Sequence, residues 1–323
     1  MQRRNGIQGG GHIVAGVGGV RGVKRKSLRL AIGPATFENP VFLASGPAGY
    51  GTEYAGLIHL DRLGAIVTKT ITFEPREGNR GRRLWETSAG LLNSIGLENV
   101  GARAFFAEKL PALLDAGGTP VVSLGAEDWD DYARLLDAAA GSRADAFELN
   151  LSCPNVERGG MIVGCDPELL GAYVRRARET LGGRVVLAKL TPNVGDIEVL
   201  AAAAEEAGAD GITAINTVVG ADLCPGLGEP VFRRVRAGLS GPAILPVALD
   251  AVWKIARAVR IPVLGAGGIH SVEDAMKFFA SGASAVEIGT AIFYDPDLPG
   301  RIVEALARCG IPRAIDAGPP PKE

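Results

Sequence analysis

Within nine residues, Glu148-Leu149-Asn150-Leu151-Ser152-Cys153-Pro154-Asn155-Val156, the chain sets out two amides, a hydroxyl and a thiol. An amide side chain carries both donors and an acceptor, so Asn150 and Asn155 can read the carbonyl and N–H edge of a flat polar ring. The Cys153 thiol can serve as nucleophile or proton acceptor, since an unperturbed thiol titrates near ~8.5. A buried, inert cysteine at a strand end is the competing reading. Pro154 has no backbone donor and pushes Cys153 toward extended backbone, so the short apolar strand Ala146–Leu151 ends there.

Other polar residues fall at equivalent points. Ser45, Lys69, Thr70, Asn150, Lys189, Asn216 and Thr217 all sit at or near the ends of apolar segments. A lysine there must be paired or face an anion, because burying its charge alone is costly. Lys69 and Lys189 therefore point to an anionic or polarised ligand, to a Schiff-base lysine, or to structural ion pairs. Gly265-Ala266-Gly267-Gly268-Ile269 and Gly289-Thr290 close two further apolar segments, with Gly238-Leu239-Ser240-Gly241 before them. Glycines at such turns let backbone N–H groups approach phosphate oxygens, and ordinary tight turns are the alternative.

The elements that must position these residues form a repeat. Eight mostly apolar strands are expected at Val41–Ser45, Ala65–Thr70, Pro120–Leu124, Ala146–Leu151, Arg184–Leu190, Gly211–Asn216, Pro262–Gly265 and Ala285–Thr290. Helical patterns follow most of them. Asp166-Pro167-Glu168 caps a helix through Leu181; Ile197–Ala207 and Val252–Val259 are similar, and Ser271 caps another. Eight such units predict an α/β fold, a (β/α)8 TIM barrel whose active site lies at the strands' C-terminal ends. Leu28–Phe37 predicts a short N-terminal hairpin. Two long insertions on the catalytic face, Ile71 to Ala104 and Val218 to Ser240, are expected to cover substrate or make subunit contacts.

The expected domains are a disordered Gly/Arg/Lys-rich tail at 1–26, a barrel at 27–312 and a Pro-rich tail at 313–323. The segment after Pro296 is short, so a reduced last helix is expected. Of 323 residues 47% are hydrophobic and 22% charged, with net charge −2, which disfavours nucleic acid as a partner. Four scattered cysteines and three histidines argue against a disulfide framework, an iron–sulfur cluster or a multi-His metal site. No signal peptide or membrane span is read, and a cytoplasmic location is expected.

Taken together, Ala44-Ser45-Gly46, Val67-Thr68-Lys69-Thr70, Leu92-Asn93-Ser94-Ile95-Gly96-Leu97, Asn150-Leu151-Ser152-Cys153-Pro154-Asn155, Ile215-Asn216-Thr217, Gly238 to Ala243, Gly267-Gly268 and Gly289-Thr290 resemble a known family in one order. The chain is similar, over about residues 28–297, to class 1 dihydroorotate dehydrogenases, specifically the type B catalytic subunit. The resemblance implies oxidation of dihydroorotate to orotate for pyrimidine biosynthesis, with FMN in the barrel mouth. FMN contacts would fall on Ser45, Lys69, Thr70, Ser123, Asn150, Lys189, Ile215, Gly241, Gly267, Gly268, Gly289 and Thr290, the last four at the phosphate. Lys189 would face the pyrimidine end of the flavin. Lys69, Asn93, Ser94, Ile95, Gly96, Leu97, Asn150, Asn155, Asn216 and Thr217 would grip the substrate, and Cys153 would be the base.

The resemblance also implies a partner subunit carrying FAD and a 2Fe–2S cluster that passes electrons to NAD, around a homodimer core within a heterotetramer. Val156-Glu157-Arg158-Gly159-Gly160 and Gly164-Cys165-Asp166-Pro167-Glu168 resemble type B at the point where the fumarate-linked type A differs. The segment Val122-Ser123-Leu124-Gly125 is compressed relative to the family pattern. Three other readings stand beside this one: a dihydropyrimidine dehydrogenase-type reductase, against which Asn155 counts, a Schiff-base lyase, and a non-catalytic barrel.

Overall fold

A computed structural model of the chain describes residues 27–151, 163–224, 226 and 228–315. The tail at 1–26, the Ser152–Val156 stretch and the final prolines lie outside the described residues.

In chain order the strands are β1 (Leu30–Ile32), β2 (Ala35–Phe37), β3 (Val41–Leu43), β4 (Ala65–Val67), β5 (Leu84–Thr87), β6 (Gly90–Asn93), β7 (Pro120–Leu124), β8 (Ala146–Asn150), β9 (Val185–Leu190), β10 (Gly211–Ala214), β11 (Val218–Gly220), β12 (Ala237–Ser240), β13 (Val263–Ala266) and β14 (Ala285–Ile288). Eight of them close a parallel barrel in the order β3-β4-β7-β8-β9-β10-β13-β14. These are the eight expected from apolar runs, as burial on both faces requires. Several stop one to three residues short of the expected ends. Thr70, Asn216 and Thr290 therefore sit just beyond their strands, where the backbone turns and polar side chains gather.

Helices outside the barrel supply the second layer. Asp166 caps Pro167–Leu181 by accepting from the Glu168 and Leu169 N–H groups, and Ser271 caps Val272–Ser281 by accepting from Asp274. The helix expected from Val252 begins at Leu245. Pro246 lies in its first turn, where a missing N–H costs nothing. The reduced last helix is corrected: Leu298–Cys309 forms twelve residues of helix, and its buried Leu298, Ile302 and Leu306 seal it to the barrel. No helix among the described residues is long and apolar enough to cross a membrane.

The two ends of the barrel differ in chemistry. At the N-terminal end the β1–β2 hairpin packs Ile32 and Phe37 into one apolar cluster with Phe42, Val67, Val121, Val185, Leu187 and Leu264. At the C-terminal end the two insertions pair with each other. β5, β6, β12 and β11 form an antiparallel sheet, with Leu92 opposite Leu239 and Val219 opposite Gly238. Trp85 donates to Asp222 across it at 2.7 Å, and Leu92, Val231, Phe232 and Ala237 make its small core. The sequence marks both as insertions too long for simple loops, without assigning strands to them. Their strands are short, and the pairing that joins them, β6 with β12, spans more than a hundred residues, so no local pattern announces the four-stranded sheet.

Candidate active site

The mouth of the barrel, beneath that sheet, holds a cavity of about 1090 Å³. It is lined by Ser45, Lys69, Thr70, Asn150, Lys189, Ile215, Gly241, Gly267, Gly268, Gly289 and Thr290, together with Asn93 to Leu97, Asn216 and Thr217. The structure thus brings together the candidate residues from the ends of seven barrel strands and from both insertions. Two fall outside the described residues, Cys153 and Asn155. Ser123 alone among the described candidates does not line the cavity. It is fully buried and holds Thr70 from behind, Oγ to Oγ1 at 2.9 Å.

Thr70 is the centre of a hydrogen-bonded row crossing the cavity wall. Ser45 Oγ lies 3.4 Å from Thr70 Oγ1. Asn150 Nδ2 donates to the same oxygen at 3.1 Å, and Asn216 Nδ2 donates to Asn150 Oδ1 at 3.3 Å. Asn216 Oδ1 in turn accepts from the Thr217 N–H at 2.8 Å. Each amide is held by its neighbour, so its orientation is set before any ligand arrives. Asn93, on β6, donates to the Gly238 carbonyl at 3.0 Å and so ties the two insertions over this row.

The loop after β6 is fixed from outside. The Asn79 N–H donates to the Ile95 carbonyl at 2.8 Å, and Asn79 Nδ2 reaches Ser94 Oγ at 3.0 Å. A Cβ on Gly96 would meet Asn79 at 2.5 Å. Leu97 is held at φ 53, a left-handed conformation that a branched apolar side chain adopts only when its surroundings impose it.

The glycine turns form the opposite wall. Gly267 and Gly268 have φ of 118 and 79. A Cβ on Gly268 would lie 2.6 Å from the Leu245 backbone nitrogen. Only glycine fits there, and the turn leaves room for a phosphate to meet backbone N–H groups. Thr290 donates its hydroxyl to Ser240 Oγ at 2.8 Å, joining this wall to β12.

The two candidate lysines have different partners. Lys189 is 5% exposed. Its ammonium donates to Glu148 Oε1 at 3.3 Å and Glu287 Oε2 at 3.0 Å, and Thr213 donates to Glu287 Oε1 at 3.2 Å. Burial alone would push the Lys189 ammonium down, but the two carboxylates outweigh it and hold it above the ordinary lysine value. Burial first, then the nearby Glu287, raises the Glu148 carboxyl to about 8. Lys69, on the insertion side, reaches Glu98 Oε2 at 3.2 Å, and Arg83 reaches the same oxygen at 2.9 Å. Arg83 first and then Lys69 hold the Glu98 carboxyl below its ordinary range.

Sequence reasoning missed Glu148 and Glu287 as members of the site. Their signal was present, since an acidic residue inside an otherwise apolar buried strand needs a cation. It also missed Glu98, Arg83, Thr191 and Asn193. Asn193 lines the cavity, donates to the Thr217 carbonyl and accepts from the Val219 N–H. Nothing local distinguishes it from a loop asparagine.

Comparison with known proteins follows the same residues. The profile of the dihydroorotate dehydrogenase family matches residues 27–309. A Thermoanaerobacter sp. (strain X514) protein named dihydroorotate dehydrogenase B (NAD(+)), catalytic subunit, is 44% identical over 280 residues, covering 87% of this chain and 92% of that one. A protein of the same name from Trichlorobacter lovleyi is 42% identical over 294 residues, covering 90% and 96%. A Solibacter usitatus protein whose name carries dihydroorotate dehydrogenase A (fumarate) is 46% identical over 286 residues, covering 86% and 93%. With a family match spanning the whole barrel and relatives aligned along nearly their full lengths, this chain belongs to the dihydroorotate dehydrogenase family.

Proposed function

We propose that the chain oxidises (S)-dihydroorotate to orotate in pyrimidine biosynthesis, with FMN held in the barrel mouth. The observation that carries this is the meeting, in one cavity, of a glycine cradle, a pre-oriented amide row and the Lys69 ammonium. FMN fits the donor set: Gly267, Gly268, Gly289 and Thr290 would hold its phosphate, with Ser45, Thr70, Asn150, Ile215, Gly241 and Lys189 along its length. The volume exceeds the ~300–1,000 Å³ of a single-ligand pocket, which suits a cofactor with substrate stacked on it. When bound, the flavin accepts the hydride that leaves ring carbon C6.

The chain's own residues do the rest. Lys69, beside a loop that also carries Arg83, attracts the substrate carboxylate. Asn93, Asn150, Asn216 and Thr217 read the amide edges of the ring, and their mutual hydrogen bonds limit the ordering that binding requires. The insertion sheet excludes water from the reacting face. Cys153, which the chain carries directly after β8, would take the proton from C5 on the side away from the flavin.

We also infer type B electron transfer: a partner subunit with FAD and a 2Fe–2S cluster would carry electrons to NAD. The names of the Thermoanaerobacter and Trichlorobacter proteins, each a catalytic subunit of an NAD(+) enzyme, support it. Exposed Val219, Leu223 and Val235 on the second insertion support a subunit contact of a homodimer core there. A cytoplasmic site of action fits this chemistry. The fumarate-linked reading is favoured by one observation, the Solibacter relative.

The test is an absorption spectrum of the purified chain, then anaerobic dihydroorotate. A flavin spectrum that bleaches is expected. A colourless chain that takes up no FMN would overturn the reading. A flavin that ignores dihydroorotate keeps the cofactor and moves the substrate to another pyrimidine. Reoxidation of the bleached chain by fumarate alone would replace type B with type A.

A further inference from the structure

The cavity floor contains an imbalance of charge. Two carboxylates, Glu148 from β8 and Glu287 from β14, share the single ammonium of Lys189 from β9. The side chains of both acids are 0% exposed and that of the lysine 7%. Among the described residues those are the charged groups that act on Glu148, and β10 adds the Thr213 hydroxyl. One ammonium cannot neutralise two buried carboxylates, and an uncompensated charge at such depth is strongly unfavourable. Glu148 is the member that gives way. Its Oε2 is buried and has no hydrogen-bond partner among the described residues. Glu287 has both oxygens engaged, by Lys189 and Thr213. Lys189 and Glu287 line the cavity, whereas Glu148 lies behind them.

We propose that Glu148 is a proton-holding residue behind the cavity floor: at alkaline pH it is ionised beneath a neutral cofactor ring and takes up a proton when that ring becomes negatively charged. The proposal rests on the flavin reading above. With Glu148 neutral, the site sums to zero: +1 from Lys189 and −1 from Glu287. With Glu148 ionised it sums to −1, which repels the negative charge of a two-electron-reduced flavin. The electron pair comes from the substrate. The proton comes from a water that gives up one O–H bond and leaves as hydroxide to bulk solvent; it passes by way of Glu287 and Lys189 and forms an O–H bond on the Glu148 carboxyl. Glu148 touches neither substrate nor cofactor. It is a positioning residue that sets the charge Lys189 presents.

The experiment uses the flavin-loaded full chain. The midpoint potential is measured by dye equilibration from about pH 6.5 to about pH 9.5 in wild type, Glu148→Gln and Glu287→Gln, with reduced-minus-oxidised infrared spectra at the alkaline end. In wild type the reduction equilibrium should fall an extra tenfold per pH unit above about 8, which is roughly 30 mV for two electrons. The infrared spectrum should gain a carboxylic-acid band on reduction. Both signatures should vanish in Glu148→Gln. In Glu287→Gln the remaining acid faces Lys189 as a simple pair, so the break should move to lower pH. If Glu148→Gln does not fold with flavin bound, the Glu287→Gln shift decides alone. Parallel potential lines in wild type and variant, or no wild-type acid band, overturn the proposal and leave the flavin reading intact. A chain that binds no FMN removes both.

Discussion

The two lysines of the cavity sit in opposite electrostatic situations. Around Lys189 two carboxylates face one cation, and every member is shut away from solvent. Around Lys69 two cations, Lys69 and Arg83, face one carboxylate, Glu98, and their side chains are a quarter to nearly half exposed. The first site has an excess of negative charge, the second an excess of positive. A buried excess can be relieved only by a proton, whereas an open one can be relieved by a ligand. The contrast separates their roles. The Lys69 corner is short of one anion, and dihydroorotate carries one. The Lys189 corner has no need of an anion and instead tunes what lies above it.

The sharpest way to break this comparison is Lys189→Ala. Removing the cation strands two buried carboxylates, so unfolding free energy should drop by about 3–5 kcal/mol, read by denaturant titration. A loss below about 1 kcal/mol, the range of exposed pairs, would show that the floor is not the dry ion site described. Next comes Lys69→Ala, which should leave stability nearly unchanged. It should weaken orotate binding by roughly 10- to 150-fold, the equivalent of one charge-assisted hydrogen bond of about 1.5–3 kcal/mol. Titration of the flavin spectrum with orotate measures it, and unchanged affinity would remove Lys69 from the substrate carboxylate.

The corners also separate by pH. The Glu148 carboxyl is raised to about 8 in the fold, against about 4.3 in an unfolded chain. Between those values the folded state binds more protons, so this group lowers stability as pH rises, until the effect levels off above the folded value. Melting temperatures should therefore move in favour of Glu148→Gln as pH rises from about 5 to about 8. A constant difference would contradict the raised carboxyl. The smallest effect belongs to Glu98→Gln. This frees Lys69 from a half-exposed competitor, so orotate affinity should rise by no more than about fivefold, the equivalent of up to 1 kcal/mol. A fall in affinity would mean that Glu98 holds Lys69 in place instead of competing for it.

Much of this was legible in the sequence because the barrel's strands are buried on both faces. Runs such as Val185–Leu190 then read as strand from composition alone, and their polar last residues, Lys189 and Asn150, mark the functional end. Two kinds of feature escaped. The mouth sheet depends on pairing between β6 and β12, whose residues Leu92 and Leu239 are joined only by tertiary structure. The charge balance escaped because it is a property of three strands at once. Lys189 alone suggests a ligand for an anion; beside Glu148 and Glu287 it becomes part of a neutralised cluster. Ser123 shows the opposite error. The resemblance implies a cofactor contact there, yet its hydroxyl lies 2.9 Å from Thr70 Oγ1 and does not line the cavity.

The hairpin plug also governs traffic. With Ile32 and Phe37 packed across the opposite end of the barrel, the cavity among the described residues faces the end where the strands finish. Substrate must enter and product must leave by that route, past the bridge that Asn93 makes to Gly238. The two ends of the barrel are therefore not interchangeable: one is closed by carbon, and the other is framed by the sheet of the two insertions.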